Sequence, residues 1–211
     1  MNESRQRELI CATAKSLFDR GLTHGSTGNI STRCEDGWLL TPTGSNLGSL
    51  DPARLSKLEW SGKLISGDPP SKENFLHLCM YQQRERSGAV IHLHSTYSVA
   101  VSVLADVNPD DVLPPITAYY VMRIGTLPLI PYFAPGDMKL ADAVREKASR
   151  HHAVLLANHG PVVAGSDLAA ASDAIEELEA TARLHLLLQG HETRPLTPSQ
   201  CAELRKRYPV A

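Results

Sequence analysis

Two histidines separated by a single residue, His92 and His94, are the first residues in the chain whose spacing could do chemistry. They close the apolar run Ala89-Val90-Ile91, which reads as a buried strand. Side chains two apart on a strand share a face, so the imidazoles converge while Leu93 turns the other way. Two neutral imidazoles side by side are half of a site for a divalent cation such as Zn²⁺. A core histidine beside a solvent-facing one would give the same tripeptide, so a third ligand is needed to decide. Asn158-His159-Gly160 follows the apolar run Val154-Leu155-Leu156-Ala157 into a glycine turn, a place from which His159 can enter a shared cleft. Taken alone, it is equally well a turn histidine with no partner.

Glu73 is the obvious carboxylate candidate. It falls in the first turn after a Ser71 cap, where the helix dipole favours negative charge. That accounts for it fully as structure. A carboxylate that ligates a metal and moves off to shuttle a proton accounts for it equally well. Three loops, Gly28-Asn29, Thr43-Gly44 and Ser71-Lys72, offer backbone N–H groups and hydroxyls suited to a phosphate, the last of them opening a helix. None has the spacing of a nucleotide-binding loop. His151 and His152 read as a solvated pair in a loop, and His77, His185 and His191 have no spacing argument.

The elements that must position these groups alternate between helix and strand. Ile10, Ala14, Leu17 and Phe18 mark a first helix that stops at Gly21. Trp38–Thr41 reads as a strand, and Leu58-Glu59-Trp60 with Lys63-Leu64-Ile65 as a hairpin around Ser61-Gly62. A helix is predicted from Ser71 to about Arg86, and a small-residue helix from Thr96 to Leu104. Further strands are expected at 121–124, 129–130, 153–157 and 162–164, with a helix carrying Leu140, Ala143, Val144 and Lys147 between them. The longest helix spans about 167–189 and ends at Gly190, and Thr197-Pro198-Ser199-Gln200 starts a last one through a capping box. With no repeat, linker or low-complexity segment, residues 1–211 read as a single mixed α/β domain.

Composition narrows the function classes. At 42% hydrophobic and 21% charged, the chain is neither disordered nor fibrous. A net charge of −2 and a pI near 6.5 supply no field that would draw it to nucleic acid or anionic lipid. The opening MNESRQREL is charged where a secretory signal needs apolar residues, and no apolar run is long enough to span a bilayer. Cys11, Cys34, Cys79 and Cys201 lie far apart with no CxxC pair, so free thiols in a reducing cytoplasm are expected.

Together the Gly28-Asn29-Ile30-Ser31 loop, the Thr41-Pro42-Thr43-Gly44 loop, the Ser71-Lys72-Glu73 helix start, His92-Leu93-His94 and Asn158-His159-Gly160 resemble, in order and over nearly the whole chain, the class II aldolase/adducin family of metal-dependent sugar-phosphate lyases and epimerases. The resemblance implies a three-layer fold, a mixed sheet flanked by helices. It implies one Zn²⁺ per subunit on His92, His94 and His159, with Glu73 as acid/base and a fourth ligand. Gly28, Asn29, Thr43, Gly44 and Ser71 would hold a substrate phosphate. Lys72 stands where the family often has a second serine, and is either a phosphate partner or a solvated side chain. Asp111 to Met122, and Pro131-Tyr132 leading into Pro135-Gly136-Asp137, look most like the family's 3-oxo-tetronate 4-phosphate decarboxylases. These lyases release CO₂ and dihydroxyacetone phosphate through a Zn-stabilised enediolate. Tyr119 matches best a family residue that reaches a neighbouring subunit's site, with Tyr120 one position away. A homotetramer with sites near its subunit interfaces is implied. The alternatives within the family are a fuculose-phosphate-type aldolase, a ribulose-phosphate 4-epimerase and a sugar-phosphate dehydratase. A non-catalytic adducin-like interaction module is the alternative of another class.

Overall fold

The computed structural model describes residues 2–134 and 136–209; Pro135, part of the Pro-Gly-Asp motif, lies outside them. Chain order is α1 (Glu3–Asp19), β1 (Asn29–Cys34), β2 (Gly37–Leu40), β3 (Ser56–Leu58), β4 (Leu64–Ser66), α2 (Asn74–Gln83), β5 (Ala89–His92) and α3 (Thr96–Ser102). It continues with α4 (Ala118–Arg123), β6 (Leu129–Ile130), α5 (Met138–Ala148), β7 (Ala153–Leu156), β8 (Gly160–Gly165), α6 (Leu168–Leu187) and α7 (Pro198–Arg207). The strands form one sheet in the order β4-β3-β2-β1-β5-β8-β7-β6, antiparallel throughout except for the β6–β7 edge.

Alternation along the central strands divides the core into two layers. Ala89, Ile91 and Leu93 face one side with Ile30, Leu155 and Val163, under α1, α3, α4, α6 and α7. Val90, Val154, Leu156, Val162 and Ala164 face the other, under α2 and α5. Each fully buried Leu or Ile contributes about 1.5–3 kcal/mol, and a one-residue slip of β5 would send every one of its side chains into the opposite layer, disrupting both at once. His92 has the parity of Val90 and therefore lies on the α2 side. Its pairing partner across the sheet is Asn29 on β1.

Three expectations are corrected by the packing. The stretch 121–124 is not a strand: Thr117 Oγ1 accepts from Tyr120 N at 3.0 Å, caps α4, and lets Tyr120 and Val121 bury while Arg123 turns out to Asp173. The helix expected from Ser71 begins only at Asn74; Ser71 Oγ instead accepts from Glu73 N at 3.2 Å in a turn ahead of it. His152 is no solvated residue: it is 7% exposed, and its Nε2 lies 2.8 Å from the carbonyl of Arg123. The four cysteines are free, as expected.

Candidate metal centre

His92 ends β5 in full burial, and His94 follows two residues on, half-buried and on the same side, with Leu93 locked into the opposite core layer. His159 arrives from the tight β7–β8 hairpin, whose loop is Ala157-Asn158-His159. Asn158 takes a left-handed φ of 58°, which asparagine tolerates. Gly160 is required next: at φ 150° a Cβ there would come within 2.2 Å of the Leu93 carbonyl. This contact presses the hairpin against the segment that carries His94. Gly28 has a similar office on the other side, since its Cβ would meet the His92 carbonyl at 2.9 Å.

Glu73, the residue before α2, completes the group. Its Oε1 lies 3.0 Å from His159 Nε2 and its Oε2 3.5 Å from His92 Nε2, while the His92 and His94 Nε2 atoms are 3.1 Å apart. All four ligand atoms fall within 4.8 Å of one another. Ligand bonds of about 2.0–2.1 Å in tetrahedral geometry put neighbouring ligand atoms roughly 3.3 Å apart, so the spacing fits a small divalent cation. His92 Nδ1 faces the Pro161 carbonyl at 2.8 Å. That bond places its proton on Nδ1 and leaves the Nε2 lone pair aimed into the cluster, as a metal-binding imidazole requires.

Electrostatics favour the same use. Burial pushes the His92 imidazole below its ordinary range, and burial with the neighbouring imidazoles pushes His94 down to about 3, so both offer free lone pairs at neutral pH. Burial alone would raise Glu73. The His92 and His159 rings and the Asn29 amide outweigh it and hold the carboxyl far below the usual range, hence ionised.

The structure brings some of the predicted phosphate residues to this centre. Asn29 Nδ2 donates to Glu73 Oε2 at 2.8 Å and to Ser71 Oγ at 3.2 Å. The Thr43 loop runs beside the Ser71 loop through Pro42 and Pro70 and through Thr43 N to the Pro69 carbonyl at 3.0 Å. Thr43 and Gly44 themselves border a separate pocket of about 240 Å³. Lys72 is exposed and makes no ion pair among the described residues. The tyrosines part company. Tyr120 is buried with its hydroxyl 3.4 Å from Asp111, whereas Tyr119 is 57% exposed, and neither lines the cleft beside the histidines. That cleft, about 590 Å³, has His94 and His159 on its wall and is otherwise lined by His24, Thr96, Val99, Tyr132, Phe133 and Asn158. Sequence reasoning gave no role to His24, Tyr132 or Phe133, since no spacing links a loop histidine to an aromatic pair a hundred residues away.

Known proteins share this chain's sequence and fold. Residues 8–186 match the Class II Aldolase and Adducin N-terminal domain family. A protein of Haemophilus influenzae named 3-oxo-tetronate 4-phosphate decarboxylase is 46% identical over 208 residues, 98% of this chain and 99% of that protein. Its namesake in Escherichia coli K12 is 49% identical over 204 residues, 96% of each chain. The crystal structure of YgbL from Escherichia coli superposes with a TM-score of 0.94 at 47% identity, covering 96% of this chain and 99% of that one. An L-fuculose 1-phosphate aldolase structure superposes at 0.85 with 25% identity, covering 96% and 95%. On the family match across most of its length, and on a fold held in common with both kinds of relative, the chain belongs to the class II aldolase and adducin family.

Proposed function

We propose that the protein is a metal-dependent carboxy-lyase that converts a 3-oxo-tetronate 4-phosphate to dihydroxyacetone phosphate and CO₂. Relatives bearing that name match it at 46–49% identity over nearly the full length. The observation that carries the reading is the convergence of three imidazoles and one carboxylate on the α2 side of the sheet. His92, His94 and His159 would hold one Zn²⁺ per subunit, with Glu73 as a fourth, displaceable ligand. When bound, the ion supplies Lewis acidity, polarising a carbonyl of the substrate.

The rest is the work of the chain's own groups. Loss of CO₂ breaks the C1–C2 bond and leaves its electron pair on C2, where a proton must replace the carboxylate. Glu73 is ionised at rest, so it first takes up a proton from solvent as substrate displaces its contacts with the histidines, and then delivers that proton to C2. Gly28, Asn29, Thr43, Gly44 and Ser71 bind the phosphate, with Lys72 as its charge partner, and so fix C2 over the carboxyl group. Tyr120 is engaged within its own core by Asp111, which leaves the exposed Tyr119 to serve a neighbouring subunit's site in a homotetramer. We place the enzyme in the cytoplasm, acting as one domain over residues 1–211. Among the described residues no helix is long and apolar enough to cross a membrane.

The test is a product assay on zinc-loaded protein given a 3-oxo-tetronate 4-phosphate. CO₂ and dihydroxyacetone phosphate in equal amounts are expected. Aldehyde release, inversion or loss of water from a sugar phosphate, with no CO₂ from the tetronate, would assign the site to an aldolase, epimerase or dehydratase. Bound metal without turnover of any of these would favour an interaction module.

A further inference from the structure

Behind Glu73 and Asn29 runs a line of three buried polar groups, His77, Ser31 and Tyr81, that the reaction itself does not touch. Tyr81 Oη lies 2.8 Å from Ser31 Oγ, which lies 2.7 Å from His77 Nδ1. On the other side of the ring, His77 Nε2 lies 2.5 Å from Asn29 Oδ1, and Asn29 Nδ2 donates to Glu73 Oε2. His77, Ser31 and Tyr81 are at most 2% exposed, so water cannot substitute for a missing member.

The chemistry of each group gives the line a direction. Glu73 as a carboxylate only accepts, so the Asn29 amide must turn its NH₂ toward it and its oxygen toward His77. His77 must then carry its proton on Nε2, leaving Nδ1 to accept from Ser31, whose oxygen accepts in turn from the Tyr81 phenol. Reversing any one bond would set the Asn29 oxygen against the carboxylate. We infer that His77 is a positioning residue: its Nε2–H locks the Asn29 amide in the one orientation that donates to Glu73 and Ser71, and Tyr81 and Ser31 hold the ring in the matching tautomer. Burial keeps the ring neutral, pushing it down to about 3, which agrees with a single ring proton.

This inference rests on the proton-donor role proposed for Glu73, and the experiment separates the two. Zinc-loaded wild type, Glu73→Gln, His77→Gln and His77→Leu are compared for kcat, KM, metal stoichiometry and thermal midpoint, and the His77 ring tautomer is read from ring-nitrogen NMR shifts of the wild type. His77→Gln retains an N–H donor toward Asn29 and an acceptor toward Ser31, whereas His77→Leu has neither. The expected result is a ring protonated on Nε2 alone at neutral pH. His77→Leu should lose about tenfold or more in kcat per metal-loaded site, the factor for one charge-assisted hydrogen bond, with KM changed less. His77→Gln should recover most of that loss.

A ring protonated on Nδ1 overturns the inference even if His77→Leu fails to fold. So does a pair of variants that lose thermal stability alike while keeping wild-type kcat. Full activity in Glu73→Gln would instead sink the proton-donor role, whatever tautomer His77 shows.

Discussion

His92 and His152 are both shut away from water and both sit at strand ends of one sheet, yet they do opposite things. His92 closes β5 at the end where β1, β8 and the start of α2 meet; His152 precedes β7 at the opposite end. His92 spends one nitrogen on the Pro161 carbonyl and keeps the other facing His94 and Glu73. His152 gives its Nε2 to the Arg123 carbonyl and, among the described residues, belongs to no cluster of three or more metal-ligating groups. A buried imidazole is therefore no sign of chemistry by itself. Convergence of several donors, with His92 oriented by the Pro161 carbonyl and Glu73 by the Asn29 amide, is what separates the candidate site from a satisfied core histidine.

The contrast breaks most visibly by mutation of the first group. Alanine at His92, His94 or His159 should abolish both zinc retention and turnover, with activity down by roughly three orders of magnitude or more, measured by elemental analysis and CO₂ release on the same sample. A His94→Ala protein that keeps stoichiometric metal and full turnover would remove the distinction between the two ends. Glu73→Gln should lower kcat by about 10²–10⁴-fold, the range for a general acid. Gly160→Ala should cost at least about 2 kcal/mol in denaturant unfolding, because both its φ and its approach to Leu93 exclude a side chain.

The second histidine is tested by pH. Burial, with a smaller push from the Arg84 charge, holds His152 down at about 4, whereas in the unfolded chain it titrates near 6.5. Between those values the unfolded state binds a proton that the folded state refuses, so stability falls as pH drops from about 6.5 to about 4 and is fully present above. The effect is about 3 kcal/mol over that window. His152→Gln should lower the slope of this part of the stability profile by one histidine's share, the buried His77, His92 and His94 supplying the rest, while leaving zinc stoichiometry and kcat at neutral pH unchanged. The smallest effect belongs to Lys72: alanine there should raise KM about fivefold, as expected for one exposed charge pair, with kcat unaltered.

Legibility followed the same divide. The metal half was readable because His-x-His on a strand, a histidine at a glycine hairpin and a carboxylate near a helix start each carry a local signal. β1 was not, although it lies at the centre of the sheet. Ile30-Ser31-Thr32-Arg33 lacks an apolar pattern because Ser31 is buried against His77 and Tyr81, partners forty-six and fifty residues further on. Val121 and its neighbours read as a strand because they are a short apolar run; the Thr117 cap and packing against α6 and α7 make them helical. His152 read as solvated because nothing nearby in sequence announces the Arg123 carbonyl that receives it. The cleft's wall of His24, Tyr132 and Phe133 is likewise assembled from segments with no shared spacing.

The most direct test of the metal centre is X-ray absorption at the zinc edge on protein loaded with one equivalent of Zn²⁺. Three imidazole nitrogens and one or two light oxygen ligands at the first-shell distance are predicted, and His94→Ala, which retains no ion, should show only the spectrum of hydrated zinc. A shell containing sulfur, or six oxygens with no imidazole pattern, would contradict the account.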